Sequence, residues 1–445
     1  MAATLKARVY TWGTAGKENC LGHTKVDGEG VCPYPHPVKF PGQTPPPVFV
    51  AAGENASATI LADGSLWTWG GGRGGRLGHG DAESFVAPKR VETFQAPDRE
   101  SEVGWEDVRV THVAIGQSHM VAAACVDGMN VAYAWGKGSH GALGVGDAED
   151  RMFPHIVVGG GEEGGVLEGV VKVTAGYGAS GAVLADGMAY VWGWNEHGKL
   201  GLGKGVDEVW VPHELGIEGE VDELVLGTLY GGAIGEDGTA WMWGYGKYGN
   251  LGNGTRKTAW VPVPVEGTGP GGVAMRSLAL TVCQINPKST GKGVKGVVGQ
   301  EGPHTLAVGR DGRGYSWGTC HKGILGNVGS KILAAPYDEL VPYAIGDSLR
   351  DTDDNEPCDY LEGEEVVGAA SSSIHSALLT ASGKVYCFGC GSGGRMGIRA
   401  YMEGLHGARS RMKCYVSRPT AIEAFDGVRV EQIGTSRRHM IALAM

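Results

Sequence analysis

Apolar positions in this chain come in short runs that alternate with polar ones, and nearly every run stops at a glycine or an Asp-Gly pair. A period of two marks half-buried strands. Stretches such as "VFVAAG", "VTHVAIG" and "HMVAAACVDG" are its small-residue members. No apolar run reaches the ~18 residues of a membrane helix, so no membrane span is predicted.

One word recurs along these strands. Tyr10-x-Trp12-Gly13, Trp67-x-Trp69-Gly70, Tyr133-x-Trp135-Gly136, Tyr190-x-Trp192-Gly193, Trp241-x-Trp243-Gly244, Tyr315-x-Trp317-Gly318 and Tyr386-x-Phe388-Gly389 are seven copies of aromatic-x-aromatic-Gly. Each is followed by Leu-Gly or Met-Gly, ending at Gly22, Gly78, Gly144, Gly201, Gly252, Gly326 and Gly397. The two glycines stand eight residues apart in six copies and nine in the first. Asp63-Gly64, Asp127-Gly128, Asp186-Gly187, Asp237-Gly238, Asp311-Gly312 and Ser382-Gly383 sit just before the aromatic strand as hairpin turns. A proline recurs after the second word, at Pro37, Pro88, Pro154, Pro212, Pro262, Pro342 and Pro419. Lacking a donor, it predicts an outer edge strand.

Four short strands per unit, repeated seven times, predict an all-β fold. It is a seven-bladed β-propeller of four-stranded antiparallel blades, one domain over residues 1–445. The chain starts inside a unit at "ARVYTWG" and ends inside another at "VRVEQIG" and "HMIALAM". Residues 428–445 are therefore expected to pair with residues 6–40 and close the ring. Trp12, Trp69, Trp135, Trp192, Trp243, Trp317 and Phe388 are the expected core positions. Insertions are expected at 267–296, 343–365 and 398–418, the first forming an extra hairpin or replacing an inner strand.

The stretch "WTWGGGRGGRLGHGD" looks like a phosphate loop, but it lacks the Gly-Lys-Ser/Thr ending, and no helical face follows Gly80. No nucleotide, other cofactor or small-molecule substrate is expected. His119, His304, His375 and His439 recur once per unit, which predicts turn bracing through a backbone hydrogen bond rather than chemistry. Cys387-x-x-Cys390 resembles half a zinc site that His406 and Cys414 would complete. Cys387 lies between repeat aromatics and Cys390 just past the repeat glycine, so no metal is expected. Nine cysteines without a secretory leader predict reduced thiols and an intracellular, cytoplasmic setting, with nucleus and cilium left open.

A net charge of -11 disfavours nucleic acid unless a local patch overrides the total. Two insertions break the average. Asp347 to Glu365 is acidic, whereas Arg399 to Arg418 is basic, with Arg399, Arg409 and Arg411 among its charges. In an antiparallel blade their places in the chain send them to opposite faces.

The combination of Gly-x-x-His, Asp-Gly, aromatic-x-Trp-Gly and Leu-Gly resembles the regulator of chromosome condensation (RCC1) superfamily from Val9 to about Leu443. The resemblance implies the propeller and protein partners. Its best-known members exchange nucleotide on the small GTPase Ran through turns before the second strand of each blade. Here those turns carry no aspartate, and Arg437 and Arg438 bring the opposite charge. A branch that senses ultraviolet light uses tryptophan in the same turns, and none of the seven has one. The expected function is a non-enzymatic protein-interaction scaffold in a larger assembly, with exchange on a Ran-like GTPase as the alternative. The expected surface is Gln117, Tyr177, Leu229, Tyr230, Arg437 and Arg438, joined by Arg399, Arg409 and Arg411.

Overall fold

A computed structural model of the chain describes residues 7–159, 165–280, 303–320, 323–326, 337–345, 361, 363–398 and 415–445. Seven four-stranded antiparallel sheets account for almost all of its regular structure. From the axis outward, blade 1 is Pro47–Ala52, Ala56–Leu61, Leu66–Gly70 and Phe85–Arg90. Blade 2 is Val108–Ile115, His119–Val126, Met129–Gly136 and Arg151–Ile156, and blade 3 is Val170–Ala175, Ala179–Leu184, Ala189–Trp194 and Glu208–Glu214. Blade 4 is Val221–Leu226, Tyr230–Gly235, Ala240–Gly244 and Ala259–Pro264. Blade 5 is Met275–Leu280, His304–Gly309, Gly314–Cys320 and Tyr337–Ala344. Blade 6 is Val366–Ser371, His375–Thr380, Val385–Cys390 and Tyr415–Ala421.

Blade 7 closes the ring with both chain ends, as expected. Val430–Thr435 and His439–Ala444 supply its inner strands, and Arg8–Thr14 and Val31–Pro37 its outer ones. Trp12 sits opposite Met440 and Val9 opposite Leu443, so the register keeps the apolar faces together. Every repeat proline lies on a fourth strand, the outer edge of its blade.

The blades are locked by one interaction repeated around the ring. Trp12, Trp69, Trp135, Trp192, Trp243, Trp317 and Phe388 are all fully buried. Each tryptophan Nε1 donates to the carbonyl of the residue just before the preceding blade's Leu-Gly or Met-Gly. The acceptors are Arg395, Cys20, Arg76, Ala142, Lys199 and Asn250, at 2.8–3.1 Å. This contact explains the second glycine. At Gly78, where φ is +81°, a Cβ would stand 2.9 Å from Trp135 Nε1. The first glycine has its own reason. Gly70 has φ +104°, and a Cβ there would meet the Asn55 carbonyl at 2.4 Å.

Within residues 267–296, Met275–Leu280 is the inner strand of blade 5, and residues 281–302 lie outside the described residues. The strand was hard to see because "MRSLAL" does not end in the usual glycine. One addition was not expected from the sequence. A small hairpin, Thr93–Gln95 with Glu102–Gly104, joins blades 1 and 2, and its Phe94 packs edge-on against Tyr133 at 5.3 Å.

Candidate partner-binding face

The connections from first to second strand and from third to fourth strand leave each blade at one end of the disc, here called the upper face. Its first-to-second turns converge at the axis. A cavity of about 40 Å³ opens there between Glu54, Gln117, Ser372, Ser436 and Arg437. The turns also bond to one another around the axis. Gln117 N donates to Gly176 O at 3.2 Å, and Tyr177 N to Gly227 O at 3.4 Å.

Three cations hold these turns from beneath. Arg76 Nη1 donates to Gln117 O at 2.9 Å, Arg395 Nε to Arg437 O at 2.6 Å, and Lys199 Nζ to Tyr177 O. All three occupy the repeat position just before Leu-Gly or Met-Gly, so each also accepts the next blade's tryptophan at its own carbonyl. Lys199 lies over the rings of Trp194 and Tyr177, at 4.6 and 5.4 Å. Burial pulls its pKa from the usual 10.5 down to about 7. Sequence reasoning missed these cations. The signal was there: the residue before the seven Leu-Gly and Met-Gly words is a cation in three.

Of the expected surface, Gln117, Tyr177, Arg437 and Arg438 are partly exposed on the upper face. Gln117 and Arg437 meet at the axial cavity. Leu229 and Tyr230 leave the surface, because they are only 3% and 1% exposed. Tyr230 stands at the repeat position of the histidines, and its hydroxyl donates to His304 O at 2.6 Å. Arg399, Arg409 and Arg411 lie outside the described residues.

The four histidines brace more than their own turns. His119 Nε2 meets Ser180 Oγ of the next blade at 2.8 Å, His304 meets Ser376 at 2.9 Å, and His439 meets Ser57 at 2.8 Å. The serine always stands one place after the histidine position in its own blade. His375 breaks the rule, since that place in blade 7 is Met440. Its Nε2 is buried without a partner, while its Nδ1 meets Ser372 Oγ at 2.9 Å. The expected backbone bond is thus largely replaced by bonds to serine hydroxyls, most of them across a blade boundary.

One cluster imitates a nucleophile with its base. Cys20 Sγ lies 3.3 Å from His439 Nδ1, whose other nitrogen holds Ser57. Burial raises the thiol pKa to about 12 and lowers the imidazole to about 3, so both stay neutral and sealed from solvent. Cys387 contacts Met440 Sδ at 3.7 Å, and burial pushes its pKa up. Cys390 instead contacts Ser392 Oγ at 3.2 Å, so the two thiols do not converge. His406 and Cys414 lie outside the described residues.

The charge of the disc is split between its ends. Among the described residues, upper-face connections contain 13 Lys and Arg against 11 Asp and Glu. Those of the lower face contain 6 against 20. The net charge of -11 therefore describes neither face. Among the described residues, no helix is long and apolar enough to cross a membrane.

The profile of the regulator of chromosome condensation (RCC1) repeat matches residues 6–60, 63–123, 131–183, 186–223, 237–275 and 382–443. The intervening stretch from 276 to 381 includes the 281–303 connection. Over 407 residues the chain is 26% identical to the ultraviolet-B receptor UVR8 of Arabidopsis thaliana, covering 90% of this chain and 76% of that protein. It is 33% identical over 257 residues to the human E3 ubiquitin-protein ligase HERC2, covering 57% of this chain but 5% of that protein. Human WBSCR16 superposes with a TM-score of 0.72 at 19% identity, covering 99% of each chain. Yeast RCC1 (Prp20), solved bound to Kap60, gives 0.73 at 16% identity over 100% of this chain and 90% of that one. At those identities the two structures speak for the fold.

Proposed function

Because the chain belongs to the regulator of chromosome condensation repeat family, we propose that it is a non-enzymatic scaffold that binds other proteins through its upper face, within a larger intracellular assembly. The observation that carries this reading is the arrangement of the turns. Gln117, Tyr177 and Arg437 stand on backbone fixed from below by Arg76, Lys199 and Arg395, which makes a rigid platform with variable side chains. Preorganised turns lose little entropy on binding. The cluster that most resembles catalytic chemistry, Cys20 with His439, supports the same reading by being neutral and buried.

The alternative is nucleotide exchange on a Ran-like small GTPase. It is favoured by the family and by a structural neighbour, Prp20p of Saccharomyces cerevisiae, which binds Gsp1p and histones. Glu54, which lines the axial cavity, and Glu301 are the acids in those turns. Reception of ultraviolet light is not proposed, since no tryptophan stands in the seven turns.

Two measurements test the reading. GDP release from a Ran-like GTPase should be unchanged by the protein, whereas acceleration by orders of magnitude would establish the alternative. Affinity capture should then recover protein partners that are lost on Gln117→Glu with Arg437→Glu. An unchanged partner set would remove the upper face from the site.

A further inference from the structure

Three of the four repeat histidines send Nε2 to a serine of the following blade, but His375 has Met440 in that place. Its ring is held like that of His439, because in both Nδ1 meets the Oγ of the serine three residues earlier at 2.9 Å. In His439 the other nitrogen crosses to the next blade and meets Ser57. In His375 it is fully buried and has no partner among the described residues. Ser372 sets the tautomer. Its hydroxyl donates to His375 O at 3.0 Å, so it accepts from Nδ1–H and leaves Nε2 with a bare lone pair.

Two sulfurs lie at the same boundary. Met440 Sδ is 3.7 Å from Cys387 Sγ, and both side chains are fully buried in one apolar cluster with Trp12, Met396 and Phe425. Cys387 pairs with Ala377, two places after His375, so cysteine and histidine project from the same side of blade 6. A thiol donating to the thioether occupies both sulfurs but leaves the imidazole nitrogen unused.

We infer that His375 Nε2, Met440 Sδ and Cys387 Sγ form a binding site for a soft monovalent cation, Cu(I), that ties blade 6 to the closing blade. Thiolate and thioether are soft donors, and imidazole serves the same ion. Two sulfurs held ~2.3 Å from one metal stand about 3.8–4 Å apart in a tetrahedral or trigonal shell, close to the observed 3.7 Å. Charge decides between metals. One thiolate cancels Cu(I), whereas Zn(II) or Cu(II) would leave a net charge in apolar surroundings. Burial keeps the imidazole neutral, as a ligand must be, and raises the thiol pKa, so the ion has to displace the thiol proton. That proton leaves to solvent as the copper–sulfur bond forms, and copper keeps its oxidation state. With all three donors buried, the ion is taken up as Arg8–Thr14 docks on His439–Ala444. This donor set is not the Cys387, Cys390, His406 and Cys414 set for which no metal is expected, and the inference stands independently of the scaffold reading.

The test uses the full chain, produced with Cu(I) present throughout folding and then dialysed anaerobically against the Cu(I) chelator bathocuproine disulfonate. One copper per chain should survive, and X-ray absorption should show two sulfur neighbours and one nitrogen. Met440→Ser restores the repeat's histidine–serine pair, and Cys387→Val installs the residue found at that place in blade 3, so both should fold. Each should weaken copper retention by about tenfold or more, at least the loss that follows removal of a group supporting a ligand. Cys125→Ser, which removes a partly exposed thiol, should change nothing. Copper-loaded protein should also melt higher than metal-free protein, a difference that Met440→Ser abolishes. Absence of retained copper, or full retention in either ligand variant, would overturn the inference. So would zinc retained as well as copper.

Discussion

The Arg76 guanidinium crosses from the upper turn of blade 1 to the Gln117 carbonyl in blade 2, at 2.9 Å, while its own carbonyl accepts Trp135 Nε1 at 2.8 Å. One residue thus joins the core lock to the partner-binding turn. Arg76→Met keeps the stem but removes the charged donor, and hydrogen bonds to charged groups contribute about 1.5–3 kcal/mol. We expect a loss at the lower end of that range in urea denaturation, because Arg76 Nε is itself unpaired and buried. Hydrogen exchange at Gln117 should quicken as well.

The tryptophan lock predicts unequal costs around the ring. Trp135→Phe strands the buried Arg76 carbonyl, a penalty of about 1–3 kcal/mol. Trp192→Phe should cost less, since the Ala142 carbonyl still accepts Ser180 Oγ at 2.8 Å. Denaturation midpoints of the two variants compare them directly; equal losses would contradict the shared-acceptor account.

The histidine network predicts couplings. A double-mutant cycle on His119 and Ser180 should give an interaction energy of about 1 kcal/mol, within the usual range for contacting polar pairs. The same cycle on His375 and Met440 should give a coupling near zero, because no hydrogen bond joins them.

Acid should destabilise the ring before most carboxylates titrate. Burial lowers His119, His79 and His112 to about 4 and His439 to about 3. An unfolded chain takes up protons on these groups near pH 6.5, whereas the folded chain does not. Their stability is therefore fully present above about pH 6.5 and is lost progressively as pH falls toward 4. Unfolding free energies from pH 7 to 4.5 should show this slope, and His439→Gln should flatten it.

How much of this was legible in the sequence follows from what repeats. The aromatic words, the edge prolines and the closing blade all express a backbone geometry used seven times, so the residues announce it. Arg76, Lys199 and Arg395 announce themselves only once the tryptophan's acceptor is known, since a cation before Leu-Gly has no meaning in one dimension. Leu229 and Tyr230 misled because a turn residue was assumed to face out, whereas both are buried and Tyr230 reaches across to His304 of the next blade. The inner strand of blade 5 was obscured by the long connection that follows Leu280. The charge split needed the strand order to assign each loop to a face.

The most direct test is hydrogen exchange on the protein bound to a partner recovered by capture. The account predicts slowed exchange at residues 116–118, 176–178 and 436–438, with the Asp-Gly hairpins at the other end of the disc unchanged. Protection confined to those hairpins or to the fourth strands, with the upper turns exchanging as in the free protein, would contradict it.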